Sequence, residues 1–475
     1  MSEERNRPVL AKGVLGQTEV LFQAVAHLGP AGAAIVVFPF LTQFVGASVP
    51  LLLLLCLAAL SLTALSVASL AKHVPSAGGF FSYVNQGLGR GFGFFTAWSY
   101  FLYDPLIPTV SILVSAGILE QVFRENLGVF VPWWVSTIVM LAIVHIATYS
   151  GVKQSADLNL LLGIAESVIL LALALTVIFH HGSRGQTLVP FHFPSLGLHN
   201  LCLGFAFALL MFCGFESAAP LAEETADPTR SIPRTMILSL MLVGLLWIVT
   251  GYAMVIGLGV DHADQTLAAR QNPFFELARG LWGWGWVWIV FALVNSSLAA
   301  SVAGQNAGSR VIFALARASL LPQRLGRIHP RYKTPSAAIT VQTALNLTVS
   351  LVLGWKLGPI TALGFIGVLI SIGIIVIYVL ANMAVIPLYW RQYRSEWSFG
   401  RHCVVPILGT GLLGLALFYT VWPVPPKPLS IAEAFVGIWL VVGALLAIFL
   451  RGSSRTALEK AALVMYHGQE TVAEE

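Results

Sequence analysis

Four ionisable side chains, His27, Asp104, Glu166 and Glu216, interrupt long apolar runs of this sequence. Such groups are costly in a hydrocarbon interior and persist where they face a cavity, a partner or a transported ion. Glu216 lies in Phe212-Cys213-Gly214-Phe215-Glu216-Ser217, midway through an apolar run from Asn200 to about Thr225. A glycine and a carboxylate at that depth point to a helix that opens to line a cavity. The opened backbone offers unpaired N–H and C=O groups and two half-helix dipole ends, which can hold the two ends of a small polar solute. The carbonyls of Met211, Phe212 and Cys213 then end the first half-helix and suit an ammonium group. Phe212 and Phe215 flank the opening, either as closing aromatics or as packing. Glu216 starts the second half, where the dipole favours a carboxylate, so capping competes with substrate contact as its role.

A second interruption is His27-Leu28-Gly29-Pro30-Ala31-Gly32, again with apolar sequence on both sides. Two glycines and a proline remove one backbone donor and weaken the helix. Amides of Ala31, Gly32 and Ala33 can face an anion where the second half-helix begins. His27 is placed to reach a substrate or carry a proton, because imidazole changes charge near neutral pH. Asp104 follows Tyr103 and precedes Pro105 and Pro108, which loosen the helix there. It either lines the site with Tyr103 and favours a cationic head group, or bonds the freed backbone. Glu166 lies about ten residues into its run, near mid-bilayer at ~1.5 Å per residue. It is the candidate proton carrier; a hydrogen-bonded structural role is the alternative. Ser296, with Asn295 and Ser297, is a candidate third wall, although such hydroxyls often bond the carbonyl four residues back. Glu223 and Glu224 against Arg230 and Arg234, with Arg317, form either an inner gate or a solvated loop.

These residues require a frame of membrane-crossing helices. Of the 475 residues 57% are apolar and 10% charged, and mean hydropathy is +0.82, which excludes a soluble domain on a single anchor. Twelve apolar spans are expected, at about 18–44, 49–71, 91–119, 132–150, 156–180, 200–225, 235–259, 285–314, 336–355, 359–388, 403–420 and 431–450. They group as a tail 1–17, a five-helix unit 18–180, a second unit 200–388, two further helices within 389–450, and a tail 451–475. The interruptions fall in spans one and six. Matched breaks five spans apart are the sign of two oppositely oriented units with a binding site between their broken first helices. With the N-terminus inside, 20 of the 26 Lys and Arg residues occupy inner segments, so both termini are expected in the cytoplasm. The net charge of +5 therefore reports orientation, not nucleic acid. The four cysteines have no paired spacing, so neither a disulfide frame nor a metal site is expected. The N-terminal residues carry no cleavable signal pattern. Trp282, Trp284, Trp286 and Trp288 read as an outer aromatic belt, preceded by a short surface helix around 272–280.

Several ordered motifs join this frame to a known family. Pro75-Ser-Ala77-Gly78-Gly79-Phe80-Phe-Ser-Tyr83 follows span two, and Gly151-Val152-Lys153 follows span four. Gly214-Phe215-Glu216 leads to Glu223-Glu224 and then Pro228-Thr-Arg230-Ser-Ile232-Pro233-Arg234. Span eight ends in Arg310-Val-Ile-Phe-Ala314-Leu-Ala316-Arg317, followed by Leu321-Pro322 and His329-Pro330-Arg331. Together these resemble the amino acid–polyamine–organocation (APC) permeases over about residues 20–390. The resemblance implies an all-α integral membrane fold with the LeuT-type five-plus-five inverted repeat, discontinuous helices one and six, and two peripheral helices. It implies a secondary transporter of amino acids in the cell membrane, proton-coupled or an exchanger, and neither an enzyme nor a cofactor protein. Such families usually break span one at a Gly-Ser-Gly-like triplet; here Pro30 has no N–H and no small hydroxyl is present. Glu166 falls where resembling prokaryotic permeases often carry a lysine in place of sodium, so the sign is reversed. Asp104 and the absent serine leave open an amine permease, for ethanolamine or putrescine. A channel or non-transporting receptor fits less well, because no repeated filter or signalling domain is evident. An enzyme would need a clustered catalytic set, which the scattered His27, Asp104, His145 and Glu166 do not form.

Overall fold

The computed structural model describes residues 10, 12–185, 187–194, 197–260, 272–317 and 320–453. Most of the tail 451–475, the first nine residues and Arg270 lie outside the described residues. Sixteen α-helices carry the described chain. The first apolar run is split into α1 (Gln17–Leu28) and α2 (Pro30–Val45), and α3 (Val49–His73) follows after a short turn. The short α4 (Phe80–Leu88) precedes α5 (Arg90–Tyr100) and α6 (Ile107–Leu127), two pieces of the third run. Then come α7 (Trp133–Tyr149), α8 (Val152–Gly185) and α9 (Gly197–Phe212), which stops where the sixth run opens. The second half holds α10 (Pro228–Leu258), α11 (Pro273–Trp282), α12 (Val287–Arg317), α13 (Ser336–Leu357) and α14 (Ala362–Arg391). The last two are α15 (Val405–Val421) and α16 (Leu429–Ser453). Among the described residues there is no strand, only a bridge between Leu15 and Thr225.

The helices follow the apolar runs because a backbone surrounded by lipid must satisfy its own hydrogen bonds. Nine described stretches are long and apolar enough to cross a membrane, and α7 and α9 are shorter apolar helices. Large apolar side chains are exposed along α8 (Leu161, Val168, Phe179), α10 (Leu242, Leu245) and α16 (Ile438, Leu445, Phe449). Those faces suit acyl chains rather than water. Exposed Trp284, Trp288 and Trp355 sit near helix ends, as interfacial anchors do. The molecule is therefore a multi-pass membrane protein.

Without a hydrophobic drive between helices in lipid, close packing must hold them, and small residues permit it. A Cβ on Gly87 would lie 2.4 Å from the carbonyl oxygen of Ala384 on α14. One on Gly443 would lie 2.2 Å from Trp98 on α5. Beside that contact the Trp98 and Trp439 indoles stack at 4.5 Å, and each donates to the other's backbone carbonyl, at 2.8 and 3.1 Å. At the centre lie α1, α2 and α9, surrounded by fully buried Phe38, Tyr103, Phe212, Phe215, Trp247 and Tyr378. The short helix expected over 272–280 forms as α11. It turns Phe274 inward, fully buried and 5.9 Å from the Phe38 ring of α2. The side where α1 starts is called the near face below, and the side carrying α11 the far face.

Candidate functional site

Three helix breaks meet at the centre. Gly29 separates α1 from α2 with φ 60° and ψ 63°, a left-handed conformation glycine adopts without steric cost. Pro30 opens α2 as its first residue, and its carbonyl accepts the Trp247 indole N–H at 2.8 Å. The sixth run unwinds after Phe212 into turns, with Gly214 at φ 127°. A Cβ on Gly214 would lie 2.8 Å from His27 Cδ2, so the two breaks are in direct contact. The third run also opens, at Phe101–Leu106, where Pro105 and Pro108 deprive the backbone of donors.

A cavity of about 80 Å³ lies against these breaks, well above what one water needs. Its walls come from α1 and α2 (His27, Gly29, Gly32, Val36), α6 (Ile107, Val110, Ser111, Ser115), the end of α9 (Leu210, Met211, Cys213), and α12 (Ser296, Ser297, Ala300). The lining is mainly apolar. Its polar atoms are hydroxyls, the Cys213 thiol and the imidazole of His27, with no carboxylate. Cys213 Sγ donates to the Leu209 carbonyl at 3.2 Å, and Ser297 Oγ to that of Leu293 at 2.8 Å. Ser296 Oγ makes no hydrogen bond of good geometry, and Glu166 is its polar neighbour.

The carboxylates sit one layer behind. Asp104 Oδ1 lies 3.2 Å from His27 Nε2 without an aligned hydrogen bond, and its other oxygen accepts the Tyr100 hydroxyl. Glu216 accepts the Tyr103 hydroxyl at 2.7 Å and the Gly214 amide at 3.2 Å. It thus closes its own turn rather than capping an α-helix, since the segment beyond is the 3₁₀ turn Ala219–Glu224. Glu166, on α8, accepts the Ala31 amide at 3.1 Å. Its second oxygen is buried without a partner of good geometry, beside the Ser296 hydroxyl. Of the remaining first-turn amides of α2, Ala33 N–H returns to the Gly29 carbonyl at 2.8 Å.

The residues singled out in the sequence thus fall into two sets. His27, Gly29, Gly32, Cys213 and Ser296 line the cavity. Ala31, Tyr103, Asp104, Gly214, Glu216 and Glu166 buttress it. Phe212 packs edge-on against Trp247 at 5.0 Å and Phe215 tilts against Tyr378 at 5.5 Å; neither lines the cavity. Sequence reasoning passed over Tyr378 and Ser115. A tyrosine midway along the apolar α14 was the available signal for Tyr378, because a buried phenol needs a polar neighbour.

A polar layer closes the near face. Arg317 pairs with Glu223 at 2.7 Å, and the Ala77 amide donates to Glu223 at 3.3 Å. Glu224 is bound by Arg310, and both side chains are almost fully buried. Arg310 also donates to the Asn306 carbonyl at 2.8 Å. Leu15 donates to the Glu224 carbonyl at 3.1 Å, and Ala226 donates to that of Leu15 at 2.9 Å. This near-face cluster is therefore built with Arg310 in place of Arg230 and Arg234, which are exposed at the start of α10. Arg310 reads in sequence as one more basic residue near a helix end. Only the tertiary packing turns it towards Glu224.

Comparison with known proteins agrees with this architecture. The family model described as amino acid permease matches residues 15–446. The low-affinity putrescine importer PlaP of Escherichia coli (strain K12) is 25% identical over 356 residues, covering 73% of this chain and 75% of the relative. The branched-chain amino acid permease BcaP of Bacillus subtilis (strain 168) is 26% identical over 409 residues, 80% of each. The serine/threonine exchanger SteT of the same organism is 23% identical over 292 residues, 61% of this chain and 65% of the relative. With a match across nearly its whole length, and broken apolar helices converging on a small central cavity, this chain belongs to the amino acid permease family of membrane transporters.

Proposed function

We propose that this protein is a secondary active transporter that carries an amino acid across the cytoplasmic membrane by alternating access. One observation carries the reading: the breaks at Gly29 and Gly214 meet at His27, on the wall of a small, mainly apolar cavity. The frame that fits is twelve spans in the LeuT-type arrangement. Units 18–180 and 200–388 are then the inverted repeats, helices within 389–450 are peripheral, and both termini are cytoplasmic. The near face is then the inner one, and its polar layer is the closed inner gate. Glu166 is the proton-coupling group, because its carboxyl bonds the start of α2 directly. The lining suits a small amino acid with an apolar or hydroxylated side chain, in line with the branched-chain permease and serine/threonine exchanger among its relatives.

The amine reading retains support from Asp104 beside His27 and from the putrescine importer. Purified protein in liposomes separates the two. Uptake of L-valine or L-serine, competed by amino acids but not by isobutylamine or putrescine, is expected. Putrescine uptake that amino acids leave untouched would replace the amino acid reading with the amine one. Uptake driven by an imposed pH gradient is expected to vanish in Glu166→Gln; undiminished uptake there removes proton coupling through this residue.

A further inference from the structure

We infer that Glu166 is a resident anion at the start of α2 that competes with the substrate's carboxylate, and that Ser296 reports its protonation to the cavity. The inference rests on the reading of the cavity as an amino acid site. The start of α2 offers few donors. Pro30 has none, Ala31 donates to Glu166 at 3.1 Å, and Ala33 donates to Gly29 at 2.8 Å. Gly32 is the remaining first-turn donor, and it lines the cavity. A helix N-terminus carries roughly half a positive charge, which two carboxylates must share. One of them is already in place.

Glu166 is fully buried and does not line the cavity. Gly29, Gly32 and Ser296 form the wall between them. That wall is thin: a Cβ would meet Ser296 Oγ at 3.3 Å from Gly29 and at 3.0 Å from Gly32. Ser296 Oγ is itself fully buried, faces the cavity and has no well-formed bond, and the free oxygen of Glu166 has none either. A serine hydroxyl has one hydrogen to give. Opposite a charged Glu166 that hydrogen points back to the carboxylate. Once Glu166 is protonated it donates to Ser296 Oγ instead, and the hydroxyl hydrogen turns into the cavity. Substrate carboxylate and a proton on Glu166 therefore bind together.

No other charge is positioned to substitute. The elements packed on α8 are α1, α2, α7, α10, α11 and α12. They bring Glu19 and His27 (α1), His145 and Tyr149 (α7), Arg230, Arg234 and Tyr252 (α10), Glu276 and Arg279 (α11), and Arg310 and Arg317 (α12); α2 brings none. The polar neighbours of Glu166 are instead the Ala31 amide and the Ser296 hydroxyl.

The test is calorimetric binding of L-valine and L-serine to the purified full-length protein between pH 5 and 8. Isobutylamine and putrescine serve as carboxylate-free probes. The wild type is expected to lose amino acid affinity as pH rises, by up to about tenfold per pH unit for one linked proton. Glu166→Gln is expected to bind at the low-pH affinity throughout. Ser296→Ala is expected to weaken low-pH binding and flatten the slope, and Ser296→Thr to restore both. If Glu166→Gln does not fold, the Ser296 pair decides. A pH-independent wild-type affinity, a slope unchanged in the variants, or the same slope for amines overturns the inference while leaving transport intact. Absence of any amino acid binding, with putrescine bound, overturns both this inference and the amino acid reading.

Discussion

At the residue scale, the two broken helices depend on glycine at their meeting point. A Cβ at Gly214 would press on the His27 ring at 2.8 Å and on its backbone carbonyl carbon at 3.1 Å, with φ at 127°. Neither obstacle is a flexible side-chain end. Gly214→Ala is therefore expected to cost about 1–3 kcal/mol and to abolish uptake. Gly411→Ala on α15 is the control. It meets nothing within 4 Å and sits in helical backbone, so it should be neutral or stabilising by up to about 1 kcal/mol. Thermal unfolding midpoints and liposome uptake for the two variants check the contrast; equal midpoints would refute it.

At the scale of elements, the described near face carries a deeply buried pair, Arg310–Glu224, a half-buried one, Arg317–Glu223, and an exposed contact of Lys72 with Glu396. Removing Arg310 alone leaves Glu224 buried without its cation, and such breaks typically cost about 3–5 kcal/mol. Arg310→Leu together with Glu224→Leu removes both charges and is expected to recover most of that loss in a thermal-shift double-mutant cycle. Lys72 and Glu396, by contrast, meet at 2.6 Å on an exposed surface between α3 and the α14–α15 connection. The bond from Lys72 holds the Glu396 carboxyl below its ordinary pKa. Its contribution is present above the usual carboxylate range and disappears as pH falls through that lowered value. Lys72→Ala should thus change stability by less than about 1 kcal/mol near neutral pH and not at all in acid or high salt.

At the scale of the whole molecule, the near-face polar layer ties together segments from both halves of the chain. Leu15, Ala77, Glu223, Glu224, Arg310 and Arg317 join the N-terminal segment, the α3–α4 loop, the α9–α10 connection and α12. Weakening this joint should favour opening toward the near face. A cysteine at the fully buried Ser309, on α12, is expected to resist a membrane-impermeant maleimide applied from that side. Adding Glu224→Gln should raise its reactivity several-fold when equal amounts of folded protein are compared. Equal labelling with and without that change would show that the pair does not gate.

The sequence by itself determined the helical membrane class, the order of the apolar runs, and the breaks at Gly29 and Gly214. Each of these follows from local chemistry: hydrocarbon demands internally bonded helices, and glycine and proline mark where they open. It also located Asp104, Glu166 and Glu216, because carboxylates in apolar runs stand out in any reading. The tertiary structure decided which of these groups line the cavity and which stand behind it. Glu166 and Ala31 are 135 residues apart, Arg310 and Glu224 86, and Tyr103 and Glu216 113. Partners at such separations are chosen by how helices cross, and crossing depends on glycine contacts and side-chain shape that one helix's periodicity does not encode.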